Sequence, residues 1–299
     1  MSFLVKIIYI LLITIDVVSN SLCIYSISKL KSFKNCFGYL CFCISVTVII
    51  LTTVKGFYCF YKFDTKEDEA IHQITISERL IGAFMNYLWI LLRFEHLFLT
   101  INRVMAIFFP IFYYQKFHDK ASIIYIALML VTSITFAVPY LDDRCIFYYN
   151  AKSEIWEFLN TPCKILIDQF STLYLNIALI IAELLMDASV IYYIFKRTKQ
   201  KITIKQLPNL KTEHLPQNNR IRDMLFTTEH IFAFQCVFWN ISLFINTVIF
   251  TGLNSIIKSP FYLSFAQNIN DLVYFSFDAI LLIVSNKDVR NLLSATKFR

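Results

Sequence analysis

Seven apolar stretches, each long enough to cross a lipid bilayer, run through the 299-residue chain almost from end to end. The hydrocarbon core of a bilayer is roughly 30 Å thick and needs about 20 apolar residues in a helix. The stretches lack the period-two alternation of membrane barrel strands, and only helices or closed barrels pair all their backbone polar groups in lipid. The sequence therefore predicts an all-α integral membrane bundle. Its spans one to seven cover residues 4–27, 37–60, 80–108, 121–140, 168–195, 226–250 and 261–285.

The composition supports this fold class and bounds the number of domains. Hydrophobic residues make up 57% of the chain and charged residues only 16%, whereas soluble domains average about 25% charged. The connections between the spans are short and polar. We therefore predict one domain over residues 1–299.

Basic residues concentrate on one side of the predicted bundle. That side carries 18 Lys and Arg residues, and the other side carries nine. Cytosolic loops are enriched in Lys and Arg, so we predict that the N-terminus lies outside and the C-terminus inside. The net charge of +7 is spread over these loops and does not form one soluble patch, so no nucleic-acid partner is predicted. The nine outer residues are Lys6, Lys55, Lys62, Lys66, Arg79, Arg144, Lys152, Lys164 and Lys258.

The two ends of the chain carry signals of their own. The first 23 residues have an alternative interpretation as a signal peptide, but Asp16 interrupts the apolar region and no A-x-A-like cleavage site follows. After span seven, Val289, Leu292 and Leu293 share one helical face. This pattern predicts a short amphipathic helix on the membrane surface, with lipids as its partner.

Three of the eight cysteines are candidates for a disulfide: Cys145, Cys163 and Cys59. Cys145 and Cys163 both lie in the predicted outer loop 141–167, which faces an oxidising compartment. A bridge between them would hold this loop over the bundle, so we favour that pairing. A pairing that involves Cys59, near the outer end of span two, is the alternative.

Polar residues inside the spans follow a pattern. In span three, Asn86, Arg93 and Thr100 are seven positions apart. Span seven repeats this spacing at Ser264, Asp271, Asp278 and Ser285. Polar side chains in hydrocarbon usually face the bundle interior, so spans three and seven are predicted to face each other or shared water. Interhelical hydrogen bonding alone is the alternative explanation for any single residue. Depth and polarity select Asn86, Trp89, Arg93, Trp239, Gln267 and Asp271 as candidate ligand-binding residues.

Motifs of catalysis are absent from the sequence. None of the patterns HExxH, GxSxG, GxGxxG or the P-loop occurs. We therefore predict no enzyme activity, no cofactor and no metal site. A transporter or ion channel remains an alternative, in which the acids of spans one, five and seven would carry protons or cations.

Two further motifs lie at the inner ends of spans three and seven. Residues 97–117 are LFLTINRVMAIFFPIFYYQKF, and residues 276–291 are SFDAILLIVSNKDVRN. The first resembles the D-R-Y region of rhodopsin-like G protein-coupled receptors and, more closely, the N-R-F-x-A-x-F-F-P-x-x-Y pattern of nematode serpentine chemoreceptors of class x (Srx). FGYLCF, LIGAF and RCIFYYN followed by TPC are also similar to that family. The resemblance covers most of the chain.

The resemblance implies roles for individual residues. Arg103 and Pro110 match the arginine and the inner-loop proline of the first motif, and Asp278 matches the asparagine of N-P-x-x-Y. The residues implied in G-protein coupling or in the activation switch are Asn102, Arg103, Pro110, Asp278, Asn286 and Arg290.

The sequence also departs from the family pattern. Asn102 stands in place of the acid beside the arginine, and an amide cannot form the ion pair that restrains this arginine in many relatives. Ala279 and Leu282 replace the proline and the tyrosine of the span-seven motif. These departures leave the resting restraint undefined, and a receptor-like chain that has lost signalling is a further hypothesis.

The resemblance implies a chemosensory receptor. It would be a multi-pass protein of the plasma membrane, with the sensory cilium as a candidate compartment, and it would bind an external small molecule or peptide within the bundle. Its partner would be a heterotrimeric G protein, which would engage Arg103, the loops 109–120 and 196–225, and the C-terminal tail.

Overall fold

Helices make up most of the described structure. The computed structural model describes residues 3–64, 75–117, 119–142, 144–150, 155–159, 161–163, 170, 174–205, 238, 240–242, 244, 245, 248 and 260–296. The helices are α1 (Phe3–Lys29), α2 (Cys36–Asp64), α3 (Ile76–Phe108), α4 (Pro110–Lys116), α5 (Asp119–Ala137), α6 (Asn176–Lys205), α7 (Pro260–Ser285) and α8 (Lys287–Thr296). The helices α1, α2, α3, α5, α6 and α7 coincide with spans one to five and seven, and the described residues between 238 and 248 are helical.

Many large apolar side chains are exposed along the helices and several charged ones are buried, the reverse of a soluble protein. Ile124 on α5 is 70% exposed, whereas Asp16 on α1 and Glu95 on α3 are 0% and 1% exposed. Five of the described helices are long and apolar enough to cross a membrane. Buried charges are tolerated in lipid when they face a bundle interior. The fold is that of an integral membrane bundle, as the sequence predicts.

Helix α3 occupies a central position in the bundle, and a capping box fixes its first turn. Thr75 caps the helix: its hydroxyl accepts a hydrogen bond from the backbone N–H of Glu78 at 3.3 Å, and the Glu78 carboxylate accepts one from the N–H of Thr75 at 3.0 Å. This capping box satisfies two backbone donors at the helix start. The helix packs against α2, α5 and α6, while α1 packs against α2 and α7. Three long described helices therefore pack around α3, which occupies a central position among them.

A two-stranded hairpin covers the outer end of α3. Strand β1 (Phe147–Asn150) pairs antiparallel with β2 (Ile155–Phe158), with Phe147 opposite Phe158 and Tyr149 opposite Trp156. These four aromatic side chains are buried. The ring of Trp156 lies 5.2 Å from the ring of Tyr58 on α2. The hairpin is thus packed onto the bundle through one aromatic face.

The predicted disulfide is confirmed. Cys145 and Cys163 are bonded, with their Cα atoms 5.3 Å apart. The bridge closes the chain on both sides of the hairpin, and it excludes the alternative pairing of either residue with Cys59.

An exposed ion pair orders the turn that leads into the bridge. The guanidinium of Arg144 lies 3.0 Å from the carboxylate of Asp142, and the backbone N–H of Arg144 donates to the same carboxylate at 2.8 Å. Arg144 lowers the pKa of Asp142 to about 2. Because the folded pKa is depressed, the pairing is complete above the ordinary carboxyl pKa and is lost only as the pH falls towards 2.

Close packing between α3 and the hairpin requires a glycine. A Cβ atom at Gly82 would lie 1.6 Å from the backbone oxygen of Phe147. Gly82→Ala is therefore expected to displace the hairpin and to lower the free energy of unfolding by about 1–3 kcal/mol, the usual cost of overpacking. The measurement is the midpoint of thermal unfolding in lipid nanodiscs.

Gly56→Ala is the matched control for Gly82→Ala. Its added carbon would meet only the flexible end of the Ile13 side chain, at 2.9 Å. Both changes add the same methyl group to a helix, so helix propensity cancels between them. Equal midpoints for the two variants would show that the hairpin does not depend on Gly82.

The predicted amphipathic helix is present after span seven. In α8, Val289 is 0% exposed and Leu292 and Leu293 are half-buried, whereas Arg290 and Asn291 are exposed. The helix packs against α7 and α1.

The basic start of the loop 196–225 also continues as helix, since α6 extends to Lys205.

Candidate functional site

The interior face of α3 carries three of the predicted ligand residues. Asn86 and Trp89 are half-buried, and Arg93 is 9% exposed. Their spacing of three and four positions places them on one side of the helix. These three side chains keep some solvent exposure, whereas neighbouring positions of the helix, such as Leu88 and Leu92, are buried.

Aromatic rings of α7 complete the surroundings of Arg93. Its Nη1 donates a hydrogen bond to the hydroxyl of Tyr274 at 3.3 Å. The guanidinium carbon lies 5.7 Å from the ring of Trp89 and 5.8 Å from the ring of Tyr274, within cation–π range. The rings of Trp89 and Phe275 are 5.2 Å apart. Spans three and seven therefore face each other, as their heptad spacing predicts.

A buried ion pair joins α2 to α7 and corrects the assignment of Lys55. The sequence pattern counts Lys55 among the outer basic residues, but the structure buries it at 4% exposure and pairs its ammonium with the carboxylate of Asp271. Asp271, a predicted ligand residue, is thus engaged by another helix. The position of Lys55 inside an apolar stretch was the available signal, because a charge in a span needs a partner.

Glu183 on α6 interacts electrostatically with two arginines of α3. It is 1% exposed, and its Oε2 accepts no hydrogen bond from the described residues. Both Arg93 and Arg103 lie within its electrostatic range. The carboxylate therefore links the outer and inner parts of the polar interior. Glu183 and Asp187 are four positions apart on α6, so they share a helix face.

At the inner end of α3, Arg103 lies among acids of two other helices. Asp187 on α6 and Asp278 on α7 are both within its electrostatic range. Its guanidinium carbon also lies 5.9 Å from the ring of Phe37 on α2. The buried Asp187 accepts a hydrogen bond from the amide of Asn240 at 3.1 Å. One carboxylate thus connects Arg103, α6 and the helical segment around Asn240.

Asp278 also contacts α3 directly. Its carboxylate lies 3.5 Å from Nε2 of His96. The residue that resembles the family's span-seven asparagine therefore faces the middle of α3, seven positions outward from Arg103. A polar path runs along α3 from Arg93 through His96 to Arg103.

Asn102 and Pro110 organise the inner loop. Asn102 is 1% exposed, and its Oδ1 accepts a hydrogen bond from the hydroxyl of Tyr113 at 3.1 Å. Tyr113 lies in α4, which begins at Pro110, and proline is favoured at a helix start because it lacks the N–H that would be unpaired there. Asn102 therefore ties α3 to the inner loop.

Asn286 and Arg290 shape the turn between α7 and α8. The Oδ1 of Asn286 accepts hydrogen bonds from the N–H groups of Asp288 and Val289, at 2.9 and 3.2 Å. This is the geometry of an N-cap. Arg290 donates to the backbone oxygen of Val284 near the end of α7. Both side chains thus fix the direction of α8.

The cap predicts a local effect of substitution. Asn286→Ala is expected to destabilise the first turn of α8 by about 1 kcal/mol, because two N–H groups lose their acceptor. Hydrogen–deuterium exchange of the α8 amides measures this. Asn291→Ala, at an exposed position of the same helix, is the control. Equal exchange in the two variants would contradict a capping role.

Two predicted ligand residues lie outside this geometry. Trp239 is outside the described residues, and so is the side chain of Gln267. Within the described ranges, no group of three His, Cys, Asp or Glu side chains is placed to hold a metal ion.

Further hydrogen bonds of the interior involve threonines that the sequence pattern did not single out. Thr47 on α2 donates to the carboxylate of Glu95 at 2.8 Å. Asp16 on α1 accepts hydrogen bonds from Asn20, at 2.7 Å, and from Thr52 of α2. Each of these acids is held by hydroxyl or amide donors, as buried polar groups generally are. Threonines inside apolar stretches give no periodic signal of their own.

Comparison with known proteins identifies the family of this chain. The model of the family described as serpentine type 7TM GPCR chemoreceptor Srx matches residues 10–286. The chain belongs to the Srx family. Its members are receptors, so the assignment agrees with the absence of catalytic motifs. No curated protein matches the chain.

The fold of this Srx chain is shared with a solved receptor structure. It resembles the crystal structure of squid rhodopsin with a TM-score of 0.72 at 14% sequence identity, over 98% of this chain and 84% of that one. At this identity the likeness establishes the fold alone. The Srx chain is thus a multi-pass membrane protein with the rhodopsin-type seven-helix bundle.

Proposed function

We propose that this Srx receptor binds an external small molecule or peptide between α3 and α7 and activates a heterotrimeric G protein at its inner face. Membership of a GPCR chemoreceptor family supports a receptor role. The distribution of basic residues supports an N-terminus outside and a C-terminus in the cytosol of a plasma-membrane protein, with the sensory cilium as the candidate compartment.

The observation that carries the proposal is the polar path along α3. Glu183 lies within electrostatic range of both Arg93, beside the candidate ligand residues, and Arg103, at the inner end. A ligand that binds one arrangement of these groups more tightly shifts the population towards that arrangement, and only by the difference in affinity. A change at Arg93 can therefore alter the electrostatic restraint on Arg103.

The resting restraint on Arg103 comes from α6. Asn102 lacks a charge, and Asp187 supplies the nearby carboxylate while also accepting a hydrogen bond from Asn240. Separation of the segment around Asn240 from α6 would break this arrangement and free the inner face. That face comprises Arg103, the loops 109–120 and 196–225, and the C-terminal tail.

Purified receptor reconstituted in liposomes with a G-protein trimer tests the proposal. A screen of odorants and short peptides is expected to reveal compounds that accelerate GDP–GTP exchange. Arg103→Ala is expected to abolish that acceleration. Ion flux across the same liposomes is measured in parallel, and ligand-evoked flux without exchange would favour a channel or transporter instead.

Epitope tags at the two ends of the chain test the orientation. In intact cells the N-terminal tag is expected to react with antibody, and the C-terminal tag only after permeabilisation. Detection of both tags in the same compartment would contradict the proposed topology.

A further inference from the structure

We propose that the ligand is an organic carboxylate whose anionic end binds the guanidinium of Arg93 and whose apolar body lies against Trp89 and Phe275. The inference rests on the proposed function, since it names the class of ligand for the same site. It follows from hydrogen-bond donors of Arg93 and Asn86 that have no acceptor among the described residues, from the aromatic rings between these two side chains, and from the charged side chains around them.

Arg93 has more donors than the described residues satisfy. A guanidinium carries five N–H donors in a planar fork that matches a carboxylate. Among the described side chains, only the Tyr274 hydroxyl accepts from it, at 3.3 Å. No described acid forms an ion pair with it within 4 Å. The side chain is nine-tenths buried, yet it retains 9% exposure in the bundle interior. An anion that reached this surface would complete its hydrogen bonding.

The sequence of span six is poor in acids. Residues 226–250 contain one acid, Glu229, which lies at the inner end of the stretch. Arg93 lies ten positions outward from Arg103 on α3, or about 15 Å along the helix axis. Among the described residues, no carboxylate forms a hydrogen bond or an ion pair with Arg93.

A second unused donor lies further out on the same face. The Nδ2 of Asn86 is buried and has no hydrogen-bond partner among the described residues. Seven positions separate Asn86 from Arg93, which is about 10.5 Å along a helix. Trp89 lies between them, with the ring of Phe275 at 5.2 Å. The arrangement suits an elongated molecule with an apolar body, an anion at the inner end and an acceptor at the outer end.

The surrounding charges disfavour a cationic ligand. Asp271 is already paired with Lys55, and Asp187 accepts a hydrogen bond from Asn240. The Glu183 carboxylate lies within electrostatic range of Arg93, so a cation that approached it would meet the guanidinium. A carboxylate gains a charge-assisted, bidentate contact at Arg93, which is among the strongest available to a small ligand.

Direct binding of octanoate to the full chain in lipid nanodiscs tests the inference. Isotope-labelled octanoate is titrated, with empty nanodiscs subtracted and with methyl octanoate and octylamine as competitors. Saturable octanoate binding is expected, with little competition from the ester or the amine. Arg93→Gln is expected to weaken binding at least about tenfold, the loss that corresponds to one charge-assisted hydrogen bond.

Two matched variants separate recognition from folding. Arg144→Gln removes an exposed arginine outside the bundle and is expected to leave octanoate binding unchanged. Arg93→Lys keeps the charge but loses the planar fork. This variant is expected to bind octanoate more weakly than the wild-type protein does, and still to prefer octanoate over octylamine. This variant carries the test if Arg93→Gln does not fold.

Three results would overturn the inference: equal octanoate affinity in the wild-type and Arg93→Gln proteins, equally tight binding of methyl octanoate, or no saturable octanoate binding. None of them bears on coupling, which the GDP–GTP exchange assay measures separately. A receptor that responds to an uncharged odorant and ignores octanoate would refute the carboxylate ligand and leave the proposed function standing.

Discussion

Lys55→Met is expected to lower the free energy of unfolding by about 3–5 kcal/mol, because it leaves the buried carboxylate of Asp271 without its counterion. Lys55 and Asp271 are 4% and 8% exposed, so water replaces the lost partner only poorly. The ion pair also joins α2 to α7, and its loss removes a contact across the outer half of the bundle. The midpoint of thermal unfolding in nanodiscs measures the effect.

A double variant separates a lost ion pair from lost packing. Lys55→Met combined with Asp271→Leu removes both charges, and replacement of a buried pair by apolar groups is often close to neutral. The double variant is therefore expected to recover most of the stability lost in the single variant. Lys287→Met, at an exposed position of α8, is the control for removal of a lysine. If Lys55→Met behaves like this control, Asp271 does not depend on Lys55.

Loss of the disulfide is expected to have the second large effect. Cys145→Ser opens the bridge that closes the chain around the hairpin, across a sequence separation of 18. Loop-closure entropy for a ring of this size corresponds to about 3 kcal/mol, and native disulfides typically contribute 2–5 kcal/mol. The hairpin, which packs on Tyr58 and Gly82, is expected to become accessible to protease at the outer surface.

Cysteine variants provide the controls for this expectation. Cys163→Ser and the double serine variant are expected to match Cys145→Ser, because all three lack the same bond. Cys43→Ser removes a free thiol of α2 and is expected to retain wild-type protease resistance. Equal resistance in the Cys145→Ser and Cys43→Ser proteins would show that the bridge does not hold the hairpin.

The fold was predictable from sequence because it depends on local patterns. Apolar stretches of about 20 residues define membrane helices whatever their partners are. The disulfide followed from two cysteines that share one outer loop, and α8 followed from the spacing of Val289, Leu292 and Leu293. In each case the deciding residues are close in sequence.

The contacts of the site were less predictable because they join distant positions. Lys55 and Asp271 are 216 positions apart, and Asp187 and Asn240 are 53 apart. Heptad spacing indicated that Arg93 and span seven share the interior, but it could not identify Tyr274 as the acceptor. Asn286 had a local signal, an asparagine directly before a helix start, which the family motif obscured.

The distance along the chain also explains why the proposed restraint on Arg103 was not apparent from the sequence. The sequence shows only that Asn102, its neighbour, lacks a charge. The structure brings Asp187 and Asp278 within electrostatic range from helices that follow α3 by more than 60 positions. A substitution beside the arginine is therefore compatible with an acid contributed by another helix.

The rate of GDP–GTP exchange on the G protein, measured with the Asp187→Asn receptor and without ligand, tests the central proposal most directly. If Asp187 restrains Arg103 and the segment around Asn240, its neutralisation is expected to raise basal exchange severalfold above that of the wild-type receptor. Arg103→Ala in the same background is expected to return exchange to the rate of the G protein alone. Basal exchange that is unchanged by either substitution would contradict the account.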